Sequence, residues 1–227
     1  MSTENVTVLT RPTASIPRAL PRVHPATSVA KRALDILVSG VALVVLAPLM
    51  LFVALAVFFS SPGRVDFRQK RIGFEGEGFR IIKFRTMVAD AERRLRTDHA
   101  LRSLYLANNH KIPAELDTRI TKIGRFLRAT SLDELPQFWN VFVGHMSLVG
   151  PRPIVTGELE RYGEMAPVYE SVRPGLTGVW QASGRSTVSY DERVQMDVEY
   201  VANWSFRNDL VIILKTVPAV LRRHGAH

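Results

Sequence analysis

Two adjacent carboxylates, Asp133 and Glu134, stand in the stretch TSLDELPQFWN, just ahead of Pro136 and downstream of Arg119, Arg125 and Arg128. A second stretch, SLVGPRP, holds Arg152 between two prolines. These residue types suit phosphate chemistry. A guanidinium offers a planar fork to phosphate oxygens. Mg²⁺ takes one or two protein carboxylates and fills its other positions with water and substrate phosphates. Mg²⁺-assisted reaction at a phosphate ester is therefore the chemistry this constellation could carry.

A structural role for the acidic pair stands beside the chemical one. Ser131-Leu132-Asp133-Glu134 has the S-x-x-E form of a capping box, in which the serine caps a helix and the glutamate reaches back. Pro136 would then be the fifth helical residue, where a backbone donor is already needed. With Asp133 as the cap it becomes the third, where the missing donor costs nothing. Asp133 would in that case sit at the positive end of a helix dipole, which favours its ionised form and attracts phosphate.

The elements that must position these groups belong to a basic chain of 227 residues, with 30 Lys plus Arg against 21 Asp plus Glu and a net charge of +9. The length fits one good-sized domain, or one domain with an appendage. The charge excess points to an anionic partner: nucleic acid, an anionic membrane face or phosphorylated substrates. No recognition helix, RNA-binding aromatic motif or zinc pattern supports nucleic acid. There is no cysteine, hence no disulfide, thiolate metal site or cysteine nucleophile. Residues 1–30 scatter Pro12, Pro17, Pro21 and Pro25 among Ser, Thr and Arg and read as a disordered, mildly basic tail.

Residues 36–59 carry no charge. As a straight helix they would reach roughly 36 Å, enough to cross a hydrocarbon core of about 30 Å. Pro48 lies at the midpoint, where it would kink a helix. Basic residues flank both ends: Lys31 and Arg32 before, Arg64, Arg68, Lys70 and Arg71 after. Positive charge favours the cytoplasmic side, so both ends ask for the same side. A kinked span and a hairpin dipping into one leaflet both remain open on these grounds. Ala54-Leu55-Ala56 matches a signal-peptide cleavage pattern, but the apolar run is too long and continues past it.

Beyond the apolar run, residues 60–87 read as a β-hairpin turning at Gly73, Gly76 and Gly78, with FRIIKF as its second strand. Those glycines do not have the spacing of a nucleotide fingerprint. Residues 89–106 read as one charged, exposed helix. TKIGRFLRATS places Ile123, Phe126 and Leu127 on one helix face, with Arg125 and Arg128 close neighbours on the surface. GHMSLVGPRP and RPGLTGVWQASGR are turn-rich loops of the kind that carries function on a rigid scaffold. NDLVIILKTVPAVLRR reads equally as an interfacial helix or as a helix packed on the domain.

From about residue 31 to the C-terminus, the chain resembles the bacterial sugar transferase family, monotopic phosphoglycosyl transferases that start glycan assembly on a polyprenyl phosphate. The resemblance rests on KRALDILVSG, RQKRIG, KFRTM, DTRITKIGRFLRATSLDELPQFWNV, MSLVGPRP, RPGLTGVWQASGR and DVEYVANWS, in the family's order. IVTGELERY is similar to the matching segment of exopolysaccharide-initiating members, which implies a hexose-1-phosphate donor such as galactose or glucose.

The resemblance implies an α/β fold, α-rich with few short strands. A re-entrant helix–break–helix over residues 31–60, broken at Pro48, would precede a catalytic domain with interfacial amphipathic helices over residues 61–227. That domain would lie on the cytoplasmic face of the bacterial inner membrane. The implied donor is a UDP-sugar, the acceptor undecaprenyl phosphate and the cofactor Mg²⁺; membrane lipids are further partners, nucleic acid is not, and a homo-oligomer is allowed. Asp133 would be the nucleophile, forming a covalent sugar-phospho-aspartate with release of UMP, and Glu134 would hold Mg²⁺ with Asp133. Arg125 and Arg128 would meet the phosphates and Arg152 the donor diphosphate, with Arg119, Gln137 and Arg185 as further substrate-binding residues. Lys83 and Arg85 would pin the active-site loops or meet lipid headgroups. Two features depart from the family pattern: Ala47 stands where many members have serine, and Arg64-Val65-Asp66 replaces a Gly-Pro-Val-type sequence. The alternatives are a membrane-attached Mg²⁺-dependent phosphohydrolase, in which water replaces the lipid acceptor, and a non-enzymatic basic protein binding nucleic acid at the membrane.

Overall fold

The computed structural model describes residues 28–108, 112–183 and 188–221. The expected tail therefore lies outside the described residues, except for its last three positions. Of these, Ser28 caps the first helix by accepting a hydrogen bond from the Lys31 N–H at 3.3 Å, and Val29 and Ala30 are already helical.

The apolar run forms two helices, α1 (Val29–Val45) and α2 (Ala47–Ser60), bent by 61°. The break falls at Leu46 rather than at Pro48. Pro48 lies in the first turn of α2, where helix starts leave N–H groups unbonded and a proline is tolerated. Backbone bonding runs through the bend, from the Leu46 N–H to Ala42 O at 2.9 Å and from the Met50 N–H to Leu46 O at 2.8 Å. Among the described residues no single helix is long and apolar enough to cross a membrane. The bent pair together has the length and composition of a broken span or a re-entrant loop. On α2, Val53 and Val57, one turn apart, are buried against Phe84 and Leu127, whereas Leu51, Phe52, Phe58 and Phe59 are exposed.

The hairpin forms as expected. Strands β1 (Asp66–Ile72) and β2 (Gly78–Phe84) pair antiparallel, with Asp66 opposite Phe84 and Ile72 opposite Gly78. The single helix expected over residues 89–106 is instead two, α3 (Ala91–Thr97) and α4 (His99–Ala107). Asp98 divides them because its carboxylate caps α4, accepting from the Leu101 N–H at 3.0 Å, and Leu101 is buried rather than exposed. Helix α5 (Lys122–Thr130) starts at a Thr121 cap and packs so closely on the chain after β2 that a Cβ at Gly124 would overlap the Thr86 carbonyl. Helix α6 (Gln137–Val143) lies against α1.

Strand β3 (Ser147–Val149) leads into the Gly150-Pro151-Arg152-Pro153 loop. After α7 (Thr156–Leu159) and α8 (Ala166–Glu170), β4 (Gly175–Thr177) pairs with β3 in parallel, Ser147 opposite Gly175. The glycines of the two turn-rich loops make this pairing possible: a Cβ on Gly175 would overlap the Gly150 backbone. Helices α9 (Val179–Ala182), α10 (Tyr190–Ala202) and α11 (Phe206–Leu221) complete the chain. Phe79 and Ile81, Val141, Leu148, Val201 and Ile212 join β2, α6, β3, α10 and α11 in one core. The last helix, α11, packs on the body through Ile212 and exposes Leu214 and Val217. Among the described residues the architecture is α-rich with two small two-stranded sheets.

The start of α1 is fastened to the body by buried charge. The Lys31 ammonium lies 2.6 Å from Asp209 Oδ2 and 2.8 Å from the Val149 carbonyl, and Tyr200 and Trp204 donate to the same carboxylate at 2.8 and 3.0 Å. Asp35 accepts from the Leu148 N–H at 2.8 Å and from the Ser147 hydroxyl at 3.1 Å. Arg32 donates to the Val141 and Phe142 carbonyls, both at 2.7 Å. KRALD thus fixes α1 to α6, β3 and α11.

Candidate active site

Asp133 and Glu134 lie in a 3-10 turn, Leu132–Glu134, between α5 and α6. Neither capping arrangement forms. Ser131 adopts a left-handed conformation, φ 56°, and ends α5, its N–H bonded to Arg128 O at 3.2 Å; α6 begins only at Gln137, after Pro136. Tertiary packing overrides the local pattern here. Leu132 and Leu135, flanking the pair, pack into the apolar cluster of Val53, Val57, Phe84 and Leu127. The pair is left facing β2, where Lys83 Nζ meets Glu134 Oε1 at 2.5 Å.

The two carboxylates have different electrostatics. Burial pushes the Asp133 carboxyl up to about 6, and the Glu134 charge adds to the rise, against the pull of Lys83 and Arg128. Burial also acts to raise Glu134, but the charges of Lys83 and Arg152, with the Lys83 hydrogen bond, outweigh it and hold Glu134 below the usual carboxylate range. Glu134 is thus the more acidic of the two, and Asp133 ionises at about 6. Arg128 donates from Nε to Thr86 Oγ1 at 2.9 Å. Burial lowers its pKa, while Asp133 and Asp117 pull it back up.

Glu134 opens onto a cleft of about 250 Å³ lined by Arg71, Lys83, Gln137, Arg152 and the Gly175 backbone. Arg152 Nη2 lies 3.9 Å from Glu134 Oε1, and its guanidinium stands 5.8 Å from the centre of the Trp180 ring, which Arg193 also approaches, at 4.6 Å. A second small cavity, among Lys31, Asp35, Ser147 and Tyr200, is lined by groups already bonded to the body of the protein.

The structure brings Asp133, Glu134, Arg128, Gln137, Arg152 and Lys83 together. Arg119 is not among them: its Nε and Nη2 donate to the two oxygens of Asp117 at 2.8 and 2.7 Å, so the fork is filled locally in a buried pair. Arg125 is exposed on α5. Arg85 acts as a pin, donating to the Ser61 and Pro62 carbonyls at 2.6 and 2.8 Å and so tying the end of α2 to the body. Arg185 lies outside the described residues. Arg71, Trp180 and the Lys31–Asp209 pair escaped the sequence reading as parts of this region.

Among the described residues no cluster of three or more His, Cys, Asp or Glu side chains could hold a metal ion. A cation at this site therefore draws on the Asp133–Glu134 pair alone. That donor set fits Mg²⁺, which takes one or two carboxylates together with water and phosphate oxygens. Burial, with a smaller part from the Glu134 charge, raises the Asp133 pKa, and a divalent cation held by the pair would favour the ionised form.

The profile of the family described as Bacterial sugar transferase matches residues 26–223. The chain belongs to the bacterial sugar transferase family. It is 44% identical over 219 residues to the Exopolysaccharide production protein ExoY of Rhizobium meliloti (strain 1021), covering 93% of this chain and 94% of that protein. The UDP-glucose:undecaprenyl-phosphate glucose-1-phosphate transferase of Caulobacter vibrioides is 39% identical over 224 residues, 92% of this chain and 75% of its own length. The Undecaprenyl-phosphate galactose phosphotransferase of Salmonella typhimurium is 45% identical over 198 residues, 87% of this chain but 41% of that protein. As a bacterial sugar transferase the chain is an enzyme, and the acidic pair with its cations is the candidate centre of its chemistry.

Proposed function

We propose that the protein transfers a hexose-1-phosphate, with galactose or glucose as the sugar, from a UDP-sugar to undecaprenyl phosphate and so starts exopolysaccharide assembly. The observation that carries this is the buried Asp133 carboxylate, ionised near neutrality, beside Glu134 and within the field of Lys83 and Arg128, with Arg152 across the cleft. The names of relatives that use galactose, glucose and undecaprenyl phosphate support the choice of substrates.

In the proposed reaction an Asp133 oxygen attacks the sugar-bearing phosphorus. The bond from that phosphorus to the bridging oxygen breaks, and UMP leaves with the electron pair. A phosphate oxygen of the lipid then attacks the same phosphorus, the Asp133–phosphorus bond breaks, and the carboxylate is restored. Splitting the transfer in this way replaces one difficult displacement with two easier ones. Arg128, Lys83 and Arg152 offset charge on the phosphoryl oxygens. Glu134 and Asp133 would hold Mg²⁺, which when bound supplies further neutralisation of phosphoryl charge.

The lipid acceptor requires a membrane seat. The bent pair α1–α2, with its exposed Val44, Leu51, Phe52 and Phe59, supports a re-entrant hairpin on the cytoplasmic face of the bacterial inner membrane. Trp139 and Phe142 of α6 and Leu214 of α11 are exposed apolar side chains that would extend the seat. Single cysteines, introduced at Arg18 and at Arg68 into a chain that has none, should both label from the cytoplasmic side; labelling from opposite sides would mean a true span.

The deciding experiment measures UMP release with Mg²⁺ and a panel of UDP-hexoses, with and without undecaprenyl phosphate. Lipid-dependent turnover with one preferred sugar is expected, together with a radiolabelled protein adduct from the donor that Asp133→Asn lacks. Sugar-phosphate release equal with and without lipid would make the protein a hydrolase instead.

A further inference from the structure

Among the described residues, the buried side-chain polar atoms without a hydrogen-bond partner are Arg71 Nε, Gln137 Nε2 and the two amide atoms of Gln181. Arg71 and Gln137 line one cleft, the cleft that Glu134 opens onto. Both are N–H donors. The Gln137 amide also helps to hold Glu134 ionised, so the Arg71 Nε–H is the donor left without an acceptor. A buried donor without an acceptor is unfavourable, and this one, on a residue of the cleft wall, marks a place for a group rich in acceptors.

The rest of Arg71 is committed to structure. Its Nη2 donates to Gln69 Oε1 at 2.6 Å, and its Nη1 donates to the Pro153 carbonyl at 3.2 Å and lies 3.7 Å from Glu158 Oε2. The fork is therefore fixed in place next to the loop that carries Arg152, and the remaining N–H points to no protein acceptor. Burial lowers the Arg71 pKa, and the neighbouring Arg152 charge lowers it further against the pull of Glu158 and Glu134. Arg71, Lys83 and Arg152 face the single carboxylate of Glu134 in this cleft, which leaves an excess of positive charge for an anion to balance.

We propose that Arg71, through Nε–H, is a further ligand of the donor's diphosphate and holds the phosphate that departs with the nucleotide. This rests on the UDP-sugar reading above. The assignment to that phosphate follows from the charged neighbours: those of Asp133 are Lys83, Glu134 and Arg128, whereas those of Arg71 are Arg152, Glu158 and Glu134. The phosphorus under attack belongs beside Asp133, and the next phosphate along belongs beside Arg71 and Arg152.

The test compares equilibrium binding of UDP, inorganic pyrophosphate and uridine to the full chain in lipid nanodiscs, for wild type, Arg71→Met and Arg71→Lys. UDP and pyrophosphate should each bind roughly ten- to a hundredfold more weakly to Arg71→Met, the range of one charge-assisted hydrogen bond, with uridine unchanged. Arg71→Lys keeps the charge but not the fork, and should recover only part of the loss. Should Arg71→Met fail to fold, the lysine variant carries the comparison alone. Unchanged pyrophosphate affinity in a folded variant overturns the proposal, as does a parallel loss of uridine binding, which would mean that Arg71 only shapes the loop. Arg71-dependent pyrophosphate binding without UDP binding keeps the anion ligand and removes the nucleotide donor. UDP binding indifferent to Arg71 keeps the donor and removes Arg71. No pyrophosphate binding by wild type, with UDP bound, likewise removes Arg71, and binding of neither removes both readings.

Discussion

Asp133→Asn removes a charge from a buried position while keeping the shape of the side chain. Folding raises the Asp133 pKa from 3.8 to about 6, so its ionised form is less at home in the folded protein than in the unfolded chain. A difference of roughly two pKa units at 1.36 kcal/mol each amounts to about 3 kcal/mol. Because the folded pKa lies above the unfolded one, this contribution is fully present below pH 4 and is lost as the pH rises through about 6. Asparagine resembles the protonated carboxyl and does not titrate. The variant should therefore be more stable than wild type by about 3 kcal/mol at pH 7, or roughly 6–12 °C in Tm for a chain of this length, with the gap closing toward pH 4. Transfer, measured as UMP release, should be abolished in the same protein. Thermal unfolding in nanodiscs between pH 4 and 8 reads the effect. Equal stability at pH 7, or a gap that does not shrink on acidification, would refute the assignment of Asp133 as a buried, charge-burdened nucleophile.

Asp133 ionises through about 6 without a cation and lower with Mg²⁺ bound, so the rate of transfer should rise with pH across or below that value, since Asp133 must be ionised to attack; a kcat/KM profile flat from about pH 4 to 7 would count against it. Mg²⁺ at a hundred times its Kd should stabilise wild type by about 2.7 kcal/mol, an effect that a thermal-shift titration should find weakened in both Asp133→Asn and Glu134→Gln. Lys31→Met leaves the Asp209 carboxylate buried without its cation and should cost about 3–5 kcal/mol; adding Asp209→Asn should restore part of that in a double-mutant cycle, and simple additivity would dissolve the pair. Gly124→Ala pushes a methyl group into the Thr86 carbonyl, which should lower stability by about 1–3 kcal/mol and reduce transfer by displacing Arg128.

What could be read beforehand was mostly local. The acidic pair is contiguous, the β1–β2 hairpin turns on glycines within one short stretch, and Arg128 lies five residues before Asp133. Two misreadings were local as well. Asp98 is a residue type that caps helices, and Asp117 stands two positions from Arg119 with a fork-shaped partner to fill. The capping reading of residues 131–136 failed for a different reason, since nothing nearby in sequence shows that Leu132 and Leu135 will be drawn against α2. The remaining features depend on distant partners. Lys83 meets Glu134 across 51 positions, β3 finds β4 as a three-residue parallel pair, and Lys31 read as a membrane-flanking charge when its partner is Asp209. Arg71 shares a basic strand with Arg68 and Lys70, and only the tertiary structure separates the cleft-lining arginine from its neighbours.

The Lys31 clamp also bears on the order in which the molecule is assembled. Its acceptors at Val149, Tyr200 and Asp209 come 118, 169 and 178 positions later in the chain. At roughly 5–20 residues added per second, the ribosome makes Asp209 some 9–36 s after Lys31. Throughout that interval α1 lacks its lysine clamp to Asp209, although the Arg32 and Asp35 partners on α6 and β3 are made earlier, and contacts of such long separation are slow to form in any case. The last of the α1 fastenings thus forms late, and the lysine clamp that also holds the carbonyl of Val149, on the strand leading to Arg152, is completed at the same step. A nascent chain halted before residue 209 would carry the complete acidic pair on a scaffold whose α1 is held to α6 and β3 but not yet to α11.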